Sequence, residues 1–278
     1  MSFAITVLGS GSSGNCTLLQ HNGKNLLVDA GLSGREICRR LSELGVSPGS
    51  ITGILLTHEH QDHIQGLRVL AKRFRIPVYA SPAALDSMRM EESLPCIEPI
   101  NCGQQFEVAA LSIQPFSVSH DCADPMAFLV RAGGHQLGIA LDLGYISGLV
   151  RERLLGCDAL IIESNHDLEM LKAGPYPWEL KQRVLSRLGH LSNEAVAQFL
   201  ENDFDGRARY IVLAHLSQNN NHPDLALLSA RKALAARGMN EEETCRLVRL
   251  AYQHRPSETI ELDHEPPFIN RFSWGDTS

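Results

Sequence analysis

The sequence predicts an α/β protein in which two packed β-sheets carry helices on their outer faces. Three observations lead there: strand-like and helix-like segments alternate in both halves of the chain, the most polar positions stand at the ends of apolar strand runs, and no repeat or low-complexity stretch interrupts the scheme. Hydrophobic residues make up 44% of the 278 and charged residues 21%, enough for a core and too apolar for disorder. α/β architectures often reach this length as one unit, so a single domain over 1–278 is expected.

Taken in order, 4–8, 16–20 and 25–28 read as strands, the first two separated by the loop G-S-G-S-S-G-N at 9–15. Ser33 has the chemistry of a helix N-cap, with Glu36 three residues on and Gly45 as a stop. A strand at 51–57, a helix over 64–75, a strand at 76–80 and a helix from Ser81 follow. The stretch 105–142 reads as β, with Gly133-Gly134 turning a hairpin between 127–130 and 136–141. Beyond it, 159–162 and 210–214 are buried-strand runs and 192–201 and 223–237 are helical. The segments 246–252 and 259–262 read as strands, and the tail after Asp263 as irregular.

A formal net charge of −7 disfavours nucleic acid spread over the whole surface, so a polyanion would need a local patch. Arg35, Arg39 and Arg40, then Lys72, Arg73 and Arg75, then Lys181, Arg183 and Arg187 are the candidates, a solvated helix face being the simpler reading of each. Seven scattered cysteines with no C-x-x-C pair fit a reducing compartment. Residues 3–8 have no basic leader, and no stretch nears the roughly 20 apolar residues of a membrane span. A cytoplasmic protein without membrane attachment is expected; oligomeric state has no signature here.

The central signal is T-H-E-H-Q-D-H, Thr57 to His63, directly after an apolar strand. Three imidazoles and a carboxylate so close are costly to pack unless they bind something, because the cationic forms repel and buried charge needs compensation. A metal supplies it. His58 and His60 can point to one centre, and Asp62 with His63 to a second. Imidazole and carboxylate suit zinc, manganese or iron(II).

H-x-H-x-D-H after a strand resembles the metallo-β-lactamase superfamily, which implies a four-layer αβ/βα sandwich with the site at the sheet edges. The resemblance also implies the remaining ligands: His120 in S-V-S-H-D, Asp142 in L-D-L-G and His215 in I-V-L-A-H, each at a strand end. By carry-over, His58, His60 and His120 hold one divalent ion, Asp62, His63 and His215 a second, and Asp142 bridges them. An Asp at 142 is unlike true β-lactamases, and His60 unlike flavodiiron proteins. Only about twenty residues separate His120 from Asp142, too few for the tRNA-binding arm of ribonuclease Z.

The chain is most similar to the YycJ (WalJ) family of nucleases, through G-S-G-S-S-G-N, the metal motif, E-S-N-H-D at 163–167, G-H-L-S-N at 189–193 and A-H-L-S-Q-N-N-N at 214–221. That likeness implies a metal-dependent phosphodiesterase, a 5′-to-3′ exonuclease on double-stranded DNA using hydroxide activated by two metals, zinc or manganese. His190, placed like the H-S-T histidine of ribonuclease Z, is the candidate general acid, with Glu163 orienting it and Asp62 in the catalytic set. A helix-capping or core role is the alternative for His190. Ser12, Ser13 and Asn15 are candidates for phosphate contact, a plain tight turn being the alternative. Asn165, His166 and Asn219 are candidates to line the substrate cleft.

G-S-G-S-S-G also matches a dinucleotide fingerprint, but a strand follows it where a helix is required, so no nucleotide cofactor is expected. The competing enzyme is a thioester hydrolase resembling glyoxalase II, disfavoured because the C-terminal stretch reads as strand-rich. A catalytically silent metal-binding regulator is the competing class, disfavoured by the complete ligand set. His21, His135, His222, His254 and His264 have no assigned role.

Overall fold

The computed structural model describes residues 2–89 and 94–263, and over them the chain forms four layers, helices outside two seven-stranded sheets. In the first sheet, β1 (Phe3–Gly9), β2 (Cys16–His21) and β3 (Lys24–Val28) form an antiparallel meander. After α1 (Gly34–Glu43), β4 (Ile51–Leu55) pairs parallel to β3. Then α2 (Gln61–Ile64), α3 (Leu67–Phe74), β5 (Val78–Ala80), α4 (Pro82–Met88) and β6 (Ile97–Pro99) continue the parallel half.

The second sheet repeats the plan. A meander of β7 (Phe106–Val108), β8 (Leu111–Ser117), β9 (Met126–Ala132) and β10 (His135–Ala140) leads, through α5 (Gly148–Leu154), to β11 (Ala159–Glu163), parallel to β10. Helices α6 (Leu168–Ala173), α7 (Trp178–Leu185) and α8 (Asn193–Asn202) precede β12 (Tyr210–Ala214). Then α9 (Pro223–Ala236), α10 (Glu241–Leu247) and β13 (Val248–Leu250) complete the sheet, and β14 (Ile260–Glu261) crosses to lie antiparallel beside β1.

Strand periodicity builds the layers, since alternate side chains leave opposite faces. From β1, Phe3, Ile5 and Val7 enter the core between the sheets with Phe128, Leu137, Ile139, Ile161 and Val212, while Leu8 packs under α1 with Ile37 and Leu41. From β11, Leu160 and Ile162 face the helices of the second sheet with Val196, Phe199 and Leu234. Buried on both faces, these strands read as unbroken apolar runs.

Several expectations change. The helix expected over 64–75 is two: at Gly66 the chain presses so closely on Leu32 that a Cβ would meet its carbonyl oxygen at 2.4 Å, and α3 starts afresh. Ser33 caps α1 by accepting from Glu36 N, but the Glu36 carboxylate turns to Arg39 and Arg40 instead of back to the cap. Arg246 and Leu247 end α10, started by a capping box between Asn240 and Glu243, so β13 is only three residues long. The C-terminal stretch is therefore helical before it is extended, and the contrast drawn with glyoxalase II on that ground falls. The expected tail after Asp263 and His264 lie outside the described residues. No helix among the described residues is long and apolar enough to cross a membrane.

Candidate active site

Every candidate ligand lies past the C-terminal end of a strand, where ladder partners run out and side chains can converge, the usual ligand edge of parallel sheets. After β4, Thr57 N donates to Asp29 Oδ1 at 2.9 Å, and Asp29 Oδ2 lies 2.8 Å from His63 Nδ1. That contact holds the δ proton of His63 and leaves Nε2 for the cluster. The same arrangement recurs at His120, whose Nδ1 donates to Gly189 O at 3.1 Å, and at His215, whose Nδ1 donates to Glu163 Oε1 at 2.7 Å. Fixing one ring nitrogen so that the other is presented is how proteins orient metal-binding imidazoles. Asp29, Asp142 and His215 all have positive φ, of 62°, 53° and 54°, which turns each chain out of its strand.

The structure brings the seven candidate ligands together. His58, His60 and His120 present ligand atoms within 4.8 Å of one another, as do Asp62, His63 and His215, and as do His58, His63 and Asp142. Asp142 reaches both sides, with Oδ2 2.9 Å from His63 Nε2 and Oδ1 3.8 Å from His120 Nε2. Burial opposes charge on His63 and His215, yet their carboxylate neighbours raise both pKa values well above the ordinary imidazole value. Burial, with the neighbouring imidazoles, keeps His58 neutral, and His215 and His63 overcome burial to hold Asp142 well below the usual carboxylate range.

A divalent cation fits this donor set. Among the described residues His58 Nε2 and His215 Nε2 are buried with no hydrogen-bond partner; His58 is kept neutral and so offers a lone pair, and His215 would offer one once a cation displaced its proton.

Beside the cluster, Glu163 is fully buried and accepts four hydrogen bonds: Oε1 from His190 Nδ1 (2.8 Å) and His215 Nδ1, Oε2 from Leu143 N and Leu191 N (3.0 Å each). Against the cost of burial, His190 holds Glu163 down at about 2, and Glu163 raises His190 in return. The His190 ring borders a cleft of about 230 Å³, with Ser12, His60, Asp62, Asp142 and, from α7, Leu180, Arg183 and Val184. A larger recess of about 500 Å³ at the β9–β10 turn contains none of these residues.

The substrate-facing expectations fare unequally. Ser12 is on the cleft rim; Ser13 is exposed and donates its N–H to Gln253; Asn219 is exposed beside Tyr176. Asn15, Asn165 and His166 lie further in. All three are buried, Asn15 against Asp62 and His63, Asn165 donating to His215 O at 2.9 Å, and His166 with both ring nitrogens lacking partners. The backbone groups freed at the strand ends draw the two amides inward. Sequence reasoning missed Asp29 and Thr57, although an acidic residue closing the apolar run Leu26–Val28 is a readable sign. Of the basic groups, Arg40 is buried and paired with Glu36, whereas Arg183 borders the cleft and pairs with Asp121.

The model of the β-lactamase superfamily domain matches residues 24–216. Over 246 residues the chain is 37% identical to exodeoxyribonuclease YycJ of Bacillus anthracis, covering 87% of this chain and 93% of the relative. The chain belongs to the YycJ/WalJ family of the metallo-β-lactamase superfamily. Exodeoxyribonuclease WalJ of Streptococcus pneumoniae is likewise 37% identical, over 84% of this chain and 88% of its own. The YycJ/WalJ fold also superposes on the metallo-β-lactamase fold protein YhfI of Bacillus subtilis, with a TM-score of 0.71 and 17% identity, over 94% of this chain and 100% of that one. The chain is a hydrolase of this superfamily, whose fold implies divalent metal ions at the His/Asp clusters.

Proposed function

We propose that residues 1–278 form one cytoplasmic metallohydrolase domain that cleaves phosphodiesters as a 5′-to-3′ exonuclease on double-stranded DNA. The observation that carries the reading is Glu163 Oε1, which bonds His190 Nδ1 at 2.8 Å and His215 Nδ1 at 2.7 Å, so that a proton-carrying imidazole stands at the edge of a candidate metal cluster. The likeness to two named exodeoxyribonucleases supports DNA as the substrate.

His58, His60 and His120 would hold one ion, Asp62, His63 and His215 the other, and Asp142 would touch both. Two divalent ions, zinc or manganese, would when bound acidify water and neutralise charge on the phosphodiester. The remaining chemistry belongs to side chains. His190, with Nδ1 held by Glu163, offers the proton on Nε2 to the departing sugar oxygen. Glu163 keeps that ring protonated and in place, and its two backbone donors fix the carboxylate. Ser12 and Arg183, which line the cleft, would contact the phosphate backbone.

End-labelled single- and double-stranded DNA and RNA, with a thioester control, each given manganese and zinc separately, provide the test. Stepwise release of nucleotides from the 5′ ends of duplex DNA is expected. Thioester hydrolysis without cleavage of any nucleic acid would overturn the reading.

A further inference from the structure

The loop between β1 and β2 touches candidate ligands that follow strands of both sheets. Asn15 is buried, and its backbone pairs with Asp62 (Asn15 N to Asp62 O, 2.8 Å) and with Gly31 (Gly31 N to Asn15 O, 2.8 Å). Its side-chain Nδ2 lies 3.2 Å from Gly11 O, 3.4 Å from Asp62 Oδ2 and 3.1 Å from His63 Nε2. An amide has two hydrogens. Gly11 O takes one, and the other is directed between Asp62 Oδ2 and His63 Nε2, two neighbouring candidate ligands.

The other end of the amide faces the second half of the molecule. Asn15 Oδ1 accepts from Gly11 N at 3.0 Å and from Ser10 Oγ at 2.8 Å. With its proton committed to Asn15, the Ser10 hydroxyl accepts the backbone N–H of His215 at 2.8 Å, at the residue where the chain leaves β12 with φ of 54°. Gln253 holds the loop from outside, accepting from Ser13 N at 2.9 Å and donating to Gly14 O at 3.0 Å.

A continuous path of hydrogen bonds, buried except at its Asp62 end, thus runs from His215 through Ser10 and Asn15 to Asp62. It reaches the three residues of one candidate ion, and among the described residues no hydrogen bond joins Ser10 or Asn15 to His58, His60 or His120. We propose that Ser10 and Asn15 are positioning residues for the ion held by Asp62, His63 and His215, and not for its neighbour. The inference rests on the ligand assignment made under the proposed function.

The test is ion content and affinity, by elemental analysis and calorimetric titration with Mn²⁺ or Zn²⁺, in Ser10→Ala and Asn15→Ala. Ser10→Ala leaves the His215 N–H buried without an acceptor, and Asn15→Ala removes the donor to Asp62. Loss of such a supporting partner typically weakens a metal roughly 10- to 100-fold. One of two ions should weaken by that factor while the other keeps its affinity. Adding His120→Ala to Ser10→Ala should remove the ion whose affinity was unchanged, and adding His215→Ala should remove only the ion already weakened.

Two ions held as tightly as in the unsubstituted chain, or both weakened equally, overturn the inference. So does failure of both variants to fold, which makes the pair part of the scaffold; Ser10→Ala, one oxygen smaller, guards against that outcome arising from Asn15→Ala alone. An unsubstituted chain that binds fewer than two ions removes the ligand assignment itself, a separate result.

Discussion

At His190 one imidazole borders the cleft while its Nδ1 is committed to a buried carboxylate. Replacing it with Ala leaves Glu163 its bonds to His215, Leu143 and Leu191, so turnover on duplex DNA should fall roughly 10²–10⁴-fold, the scale of a lost acid catalyst, at unchanged metal content. Equal turnover would take His190 out of the chemistry. His166 is a different case. Burial without a partner pushes it from 6.5 down to about 4, so it is neutral in the fold and takes a proton when the chain unfolds. The unfolded chain then binds more protons between those values, and stability is lost as pH falls through that window. Metal-free protein should lose about 2 kcal/mol more than His166→Asn between pH 7 and pH 5 in urea unfolding; identical pH slopes would refute it. His58, His60, Asp62 and His63 were legible in the sequence because crowded imidazoles demand an explanation, whereas His120, Asp142 and His215 were reached only through the family resemblance. Asp29 and Ser10 were not, since a lone Asp or Ser near a strand end is ordinary, and only the fold shows what it touches.

The elements that place the site are short. Helix α2 has four residues, and it is anchored where Asn15 N meets Asp62 O at 2.8 Å and Ala30 N meets His63 O at 2.9 Å. Gly31 lies inside that contact, where a Cβ would fall 1.6 Å from Asp62 O and 2.7 Å from Asn15 N. Both obstacles are backbone atoms, so Gly31→Ala should cost at least the ~1–3 kcal/mol usual for overpacking, read as a lower urea midpoint, and should weaken metal binding by moving Asp62. A variant with the parent midpoint would show that the loops separate freely. Strands β1 to β4 and β9 to β12 could be read from apolar runs because burial on both faces leaves little else to encode. The end of α10 was misread because Leu247, Val248 and Leu250 resemble a strand, while the deciding signal, the Asn240–Glu243 capping box, lies upstream. Helices α5 and α6, seven and six residues long, are too short for periodicity to single out.

Across the whole molecule, four candidate ligands follow β4 of the first sheet and three follow strands of the second. Ion binding should therefore tie the two sheets together and act on global stability. Calorimetric unfolding in chelator should give a clearly lower Tm than in manganese or zinc, and ion at about 100 times its Kd should add about 2.7 kcal/mol. A Tm indifferent to metal would argue against a site spanning both sheets. The three left-handed strand ends, Asp29 in the first sheet and Asp142 and His215 in the second, have a further consequence. Backbone sterics at these positions favour Gly most, with Asn, Asp and His the side chains that tolerate them best. Glycine would relax the backbone at each of these turns but delete the side chain, so local ease of folding and the candidate chemistry pull in opposite directions at all three places.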